Sequence, residues 1–208
     1  GGYKNMAGCF AQPEFVVCDP AMLRSLPDRE FRAGLAEVVK AALIADGDLF
    51  AALESASFEQ LRTENDQLCD ILTSAIRVKA DIVELDERER GERRKLNLGH
   101  TLAHAIEKCS DRMKHGEAVA VGMALMAGAA ERLGLLDAAQ RDRITALLAR
   151  LGFDLRPPVP LERLLREVVH DKKNEAGTLH VVLPAGIGDC EVRDIPTSRF
   201  ATLFSDAG

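Results

Sequence analysis

The chain has no tryptophan, a single tyrosine and only 4% aromatic residues. This removes the stacking surfaces on which single-stranded nucleic acids and quaternary-amine cages depend. Long basic runs are also missing. With 27 basic against 33 acidic residues the formal net charge is −6, and nothing could neutralise a row of phosphates, so nucleic acid is not an expected partner. No window approaches the roughly 20 apolar residues of a membrane span, and the opening Gly1-Gly2-Tyr3-Lys4-Asn5 lacks the apolar run of a signal peptide. We therefore expect no membrane association and a cytoplasmic location. The five cysteines, Cys9, Cys18, Cys69, Cys109 and Cys190, are odd in number and never spaced as CxxC, which predicts free thiols in place of a disulfide frame or a thiolate zinc site. Internal repeats and low-complexity linkers are absent too. What remains is 208 residues, 47% hydrophobic and 29% charged, enough for one ordered core whose function must come from polar groups.

Periodicity predicts a mainly α, helical bundle-like domain. A short apolar strand, Phe15 to Cys18, ends at Asp19-Pro20. From Asp28, a plausible N-cap behind Pro27, apolar residues recur at three and four (Phe31, Leu35, Val38, Val39, Ala42, Leu43), predicting a helix to about Ala45. Further helices are expected over Asp48 to Glu54 and over Asn65 to about Asp86, the latter with Leu68, Ile71, Leu72, Ile76, Val78 and Ile82 on one side. His100 to Lys108, Ala118 to Leu133, Asp137 to Leu151 and Leu161 to Val169 continue the pattern, some closed by Gly134 or Gly152. Near the end, Leu179 to Leu183 and Cys190 to Arg193, separated by Gly186 and Gly188, predict a small β-hairpin. A last short helix is expected over Ser198 to Phe204.

The chemistry concentrates elsewhere. In Asn97-Leu98-Gly99-His100-Thr101-Leu102-Ala103-His104 two imidazoles stand four residues apart, on one helix face and within reach of one centre. They could equally be hydrogen-bonded core histidines. His115, in Lys114-His115-Gly116-Glu117, tilts the balance towards metal. A glycine at 99 would let backbone approach a bound species, and Asn97 could cap the helix or bind substrate. Glu37 and Lys40, three apart among Ala36, Val38 and Val39, place a charge in apolar surroundings or form a surface ion pair; composition leaves both open. Lys4, Asn5, Lys79, Arg93 and the pair Lys172-Lys173 are cations and polar groups from distant segments, of the kind that grip phosphate or carboxylate. Arg93 itself lies in a mixed-charge run, Arg88 to Lys95, that would ordinarily be a solvated loop.

Taken together these segments resemble a known family. Gly2-Tyr3-Lys4-Asn5-Met6-Ala7-Gly8, Leu26-Pro27-Asp28-Arg29-Glu30-Phe31 running on to Glu37 and Lys40, Lys79 with Asp86-Glu87-Arg88-Glu89, the Asn97 to Glu107 segment, His115-Gly116-Glu117-Ala118-Val119 and Asp171-Lys172-Lys173 are similar, in order and spacing, to the 3-dehydroquinate synthases. The resemblance implies a divalent metal, zinc or cobalt, held by Glu37, His100 and His115. It makes His104 a proton-transfer residue near the substrate phosphate and not a ligand. It also implies catalytic roles for Lys79, Glu89 and Arg93, and a substrate site formed by Lys4, Asn5, Lys40, Lys79, Arg93, Asn97, His104 and Lys172. The implied reaction converts 3-deoxy-arabino-heptulosonate 7-phosphate into 3-dehydroquinate and phosphate, in the shikimate pathway, by NAD-dependent oxidation, β-elimination, reduction and aldol closure.

The same resemblance implies that residues 1–19 are the end of an N-terminal nucleotide-binding domain and 20–208 the helical metal- and substrate-binding domain. No GxGxxG turn and no alternation of strands and helices is present. NAD is therefore expected to bind mainly through that preceding domain, with this chain alone inactive and the full-length enzyme a homodimer. Ala103, where the family has glycine, and the short Cys109 to Lys114 approach to His115 depart from the pattern and bear on local geometry. Two alternatives stand beside this expectation. One is a related cyclase of the aminodehydroquinate or deoxy-inosose type. The other is a non-catalytic metal-binding helical domain whose apolar stretch Ala118 to Ala130 serves packing or a dimer seam.

Overall fold

The computed structural model describes residues 11, 13–63, 65–89, 91–171 and 177–205. Among the described residues, eight α-helices and one antiparallel hairpin surround a continuous apolar core. α1 (Asp28–Ala45) buries the expected stripe Phe31, Leu35, Val38, Val39, Ala42 and Leu43. Its cap is Pro27, whose carbonyl accepts from Glu30 and Phe31 at 2.9 and 3.0 Å. Asp28 is thus the first helical residue and not the cap, and its charge complements the positive helix end. α2 (Gly47–Ser55) starts on Asp46, whose carboxylate accepts from the Leu49 N–H at 2.8 Å.

Two helical pieces here escaped the periodicity. α3 (Phe58–Thr63) is too short to show a repeat, but Ser57 and Gln60 exchange side-chain-to-backbone bonds at its start, at 2.8 and 3.2 Å. That S-x-x-Q spacing is a capping box, legible in the sequence. A 3₁₀ turn also covers Pro20–Ser25. α4 (Asn65–Leu85) follows as expected, except that Ile76 is exposed and faces a cavity described below.

α5 (His100–Cys109) and α6 (His115–Arg132) form one of the closest helix pairs in the fold. α6 begins three residues earlier than its apolar run suggests, because the Glu117 carboxylate accepts from the Lys114 N–H at 2.8 Å and fixes the first turn. His115 therefore opens the helix. Arg29 of α1 makes paired bonds to the same carboxylate, at 2.8 and 2.7 Å. From Ala118 to Ala130 the α6 residues are almost all buried within this chain, so the stretch is used for packing in the core.

α7 (Ala138–Arg150) is capped by Asp137, which accepts from Gln140 at 2.7 Å. α8 (Leu161–Asp171) leads to β1 (Thr178–Gly186), which pairs with β2 (Asp189–Pro196) in the register Val181 to Arg193, with an irregularity at Pro184/Gly186. A 3₁₀ helix, Thr197–Phe204, ends the described chain.

The predicted strand at Phe15 to Cys18 is corrected. Among the described residues it pairs with no other strand, and Phe15, Val16 and Val17 are 79%, 73% and 78% exposed. Extended backbone becomes a strand only when a neighbour takes up its N–H and C=O groups. The described cysteines, Cys18, Cys69, Cys109 and Cys190, are free thiols, and no described helix is long and apolar enough to cross a membrane.

Candidate metal centre and anion pocket

Three elements deliver three ligand-type groups to one point: Glu37 from the middle of α1, His100 from the first residue of α5 and His115 from the first residue of α6. Each offers an atom within 4.8 Å of the other two. The Nε2 atoms of His100 and His115 both lie 3.7 Å from Glu37 Oε1. That is too long for a hydrogen bond, and Glu37 Oε1 is buried with no hydrogen-bond partner among the described residues. A divalent ion with bonds of about 2.0–2.2 Å holds its tetrahedral ligands roughly 3.4 Å apart, so the spacing and the orphaned oxygen fit a cation of the zinc type. One carboxylate and two imidazoles leave coordination positions for substrate.

The second ring nitrogens are already engaged. His100 Nδ1 lies 3.2 Å from the Leu98 carbonyl, which can only accept, so the proton sits on Nδ1 and Nε2 keeps its lone pair. His115 Nδ1 meets Glu107 Oε1 at 3.2 Å. Burial, then the charge of Lys40, pushes His100 down to about 4, so it stays a neutral ligand through the physiological range. Lys40, buried to 7% exposure, donates to Glu37 Oε2 at 2.5 Å. Its own pKa is lowered by burial, which the carboxylate only partly offsets. Burial alone would raise Glu37; the charge and hydrogen bond of Lys40, aided by the two imidazoles, outweigh it and hold the acid low. The pair is therefore half-buried and not a surface ion pair.

A cavity of about 630 Å³ opens beside this centre, lined by Glu37, Lys40, Lys79, Glu89, Arg93, Asn97, His100 and His115 against Val38, Leu72, Ile76 and Leu96. Eight of the residues implied by resemblance thus share one pocket. The 3₁₀ helix Glu92–Asn97 brings Arg93 and Asn97 there, where the mixed-charge run had read as solvated loop. Asp86 fixes its approach: one carboxylate oxygen accepts from Gly91 at 2.7 Å and from the Arg93 backbone at 3.2 Å, while the Arg93 guanidinium donates to the Glu87 carbonyl at 2.6 Å. Glu89, left-handed at φ 55°, accepts from Asn97 Nδ2 at 2.8 Å. A non-glycine residue in that region is uncommon and is held by its surroundings. Asn97 therefore pairs with Glu89 and does not cap α5.

His104 is not part of the cluster. Its ring stands 5.7 Å from that of His100, edge to face, and it lines a second cavity of about 690 Å³ with Arg94, Thr101, His180 and Asp194. Glu89, Asn97 and His100 border both cavities. HxxxH spacing alone pointed to His100 and His104 at one centre, but the histidine that joins His100 and Glu37 is His115 from the start of α6, and His104 lines the other cavity. The His180–Asp194 pair across the hairpin, at 2.5 Å, had no signal in the sequence before the register was known. Gly99 also has a different use from the one expected. At φ 77° a Cβ there would lie 2.8 Å from the Val119 carbonyl, so the residue serves a left-handed turn and close contact with α6. Lys4, Asn5 and Lys172 lie outside the described residues.

The family model for the 3-dehydroquinate synthase C-terminal domain matches residues 34–174. The chain belongs to this family. Among its relatives, 3-dehydroquinate synthase from a Synechocystis species is 42% identical over 204 residues, covering 94% of this chain and 56% of the relative. That of Halorhodospira halophila is 46% identical over 201 residues, covering 95% and 56%. The chain thus spans a little over half the length of these synthases. Of solved structures, ValA, the 2-epi-5-epi-valiolone synthase of Streptomyces hygroscopicus with NAD⁺ and Zn²⁺ bound, superposes with a TM-score of 0.79 at 28% identity, over 89% of this chain and 53% of that one. A 2-deoxy-scyllo-inosose synthase complexed with carbaglucose-6-phosphate, NAD⁺ and Co²⁺ gives 0.76 at 26% identity, over 97% and 58%.

Proposed function

We propose that this chain is the metal- and substrate-binding part of a 3-dehydroquinate synthase, acting on 3-deoxy-arabino-heptulosonate 7-phosphate. The observation that carries the proposal is the buried, unpartnered Glu37 Oε1, equidistant from two Nε2 atoms at the edge of a pocket lined by Lys40, Lys79 and Arg93. Glu37, His100 and His115 would hold a divalent ion, which would supply Lewis-acid chemistry at this end of the pocket. Lys40, Lys79 and Arg93 hold the carboxylate and hydroxyls, Arg93 through its planar fork and the lysines as point charges. Glu89 and Asn97 orient one another and present an acceptor and a donor to substrate hydroxyls. In this reading His104, which lines the adjoining cavity beside His100, moves a proton near the departing phosphate, and Lys4, Asn5 and Lys172 contribute to substrate binding. We assign NAD⁺ to the part of the synthases beyond the span of this chain, with residues 1–19 as the end of that nucleotide-binding domain and 20–208 as the helical domain. Among the described residues the sole sheet is an antiparallel hairpin, with no strand–glycine turn–helix unit for a pyrophosphate.

Support for a carboxylated substrate over the sugar phosphates of the sister cyclases comes from the concentration of cations on the metal side of the pocket and from the relatives' names. The test is a product assay on the complete enzyme carrying this chain, with zinc and NAD⁺. We expect release of phosphate with formation of 3-dehydroquinate, and Arg93→Ala should raise KM at least tenfold while leaving the metal content unchanged. Turnover of a hexose phosphate or heptulose phosphate lacking the carboxylate, with none of the heptulosonate, would overturn the assignment.

A further inference from the structure

We infer that Glu107 is the positioning residue that sets the tautomer of His115 and thereby its readiness to take a metal ion. The inference rests on the metal reading above and concerns a residue given no role there. His100 and Glu107 are seven apart on α5, two turns along one face, and the segment after Cys109 folds back so that His115 lies between them. The His115 ring packs at 5.1 Å from that of His100, Nε2 faces Glu37 and Nδ1 faces Glu107 Oε1 at 3.2 Å. Both histidines open their helices, but His100 is 14% exposed with Nδ1 at a backbone carbonyl, whereas the His115 side chain is 40% exposed. The Glu107 carboxylate is the acceptor at its Nδ1. With the proton on Nδ1, the lone pair is on Nε2, aimed at the centre; with the other tautomer, a proton would point there instead.

The location of Glu107 argues against a role in helix stability. A carboxylate in the last turn of a ten-residue helix opposes the helix dipole, so the position costs α5 a little and its use lies elsewhere. Carboxylate-to-imidazole contacts of this kind raise ligand basicity, and their loss weakens metal binding about 10- to 100-fold.

The experiment uses this chain, metal-free and ¹⁵N-labelled, with Zn²⁺ alone as the probe. Imidazole ¹H–¹⁵N correlation spectra at pH 8 should show His115 protonated at Nδ1 in the wild type and in Glu107→Gln, whose amide oxygen still accepts. In Glu107→Ala the ring should revert to the Nε2-protonated form favoured by free imidazole. Chelator competition should give a zinc affinity about 10- to 100-fold weaker for Glu107→Ala, with Glu107→Gln within a few-fold of wild type and all three unfolding at similar temperatures. An unchanged tautomer in Glu107→Ala, with or without a loss of affinity, would overturn the inference. The tautomer is read without metal, so this result is independent of whether Glu37, His100 and His115 prove to be the ligands.

Discussion

Glu37 divides its carboxylate between two positive partners, one covalently part of the chain and one brought by the proposed metal. Oε2 takes the ammonium of Lys40 and Oε1 is left for the ion. This arrangement keeps the acid charged although half-buried, and it has a consequence at His100. Above the unfolded imidazole value of about 6.5 both folded and unfolded chains hold His100 neutral, and it contributes nothing pH-dependent. Between there and about 4, where burial and Lys40 hold the folded-state value, the unfolded chain takes the proton and the folded one does not. Stability of the metal-free chain should therefore fall as pH drops through this window, by at most about 1.4 kcal/mol per unit, and His100→Gln should remove that part of the slope. Urea midpoints from pH 7 to 4 check it, and equal slopes in both proteins would contradict it. Residue types at this scale were legible: carboxylate, imidazole and cation at the spacings of a known family single out the pocket lining. Their division was not, since HxxxH spacing cannot tell which histidine meets the helix that supplies the third ligand.

Between elements, two glycines set how closely the ligand-bearing helices approach. A Cβ on Gly116 would stand 1.9 Å from the Ala33 carbonyl of α1, and one on Gly122 would stand 2.1 Å from the Gly99 carbonyl just before α5. The paired Arg29–Glu117 bonds fasten the same ends of α1 and α6. Gly116→Ala touches no ligand but must push α1 from α6 and widen the gap between Glu37 and His115. We expect a loss of about 1–3 kcal/mol in unfolding free energy together with weaker zinc binding, read by urea unfolding and chelator competition. Wild-type zinc affinity in this variant would show that the crossing does not set the site. Helix existence was legible from apolar spacing at α1, α4, α5 and α7, because each buries one stripe against the core. The close approaches were not, because a glycine's need depends on a partner helix that the local sequence does not name. The 3₁₀ helix at Glu92–Asn97 stayed hidden for a related reason: six residues are too few for a period, and its order comes from the distant Asp86 carboxylate.

Across the whole molecule, α8 packs on α5 and the hairpin on α6, and His100 borders both the metal-side pocket and the His104 cavity. An extended anion with charges at both ends suits such a layout, and the mainly α architecture with its late hairpin was foreseen from the change of period after α8. What the order of motifs could not convey is that two cavities exist, since the hairpin register alone brings His180 and Asp194 to the second. The most direct test of the account is zinc content per chain after exhaustive dialysis, measured by mass spectrometry on wild type, Glu37→Gln, His115→Ala and His104→Ala. One zinc per chain in wild type and in His104→Ala, with none retained by Glu37→Gln or His115→Ala, is the predicted result. Stoichiometric zinc surviving in His115→Ala, or lost in His104→Ala with the other two unaffected, would contradict it.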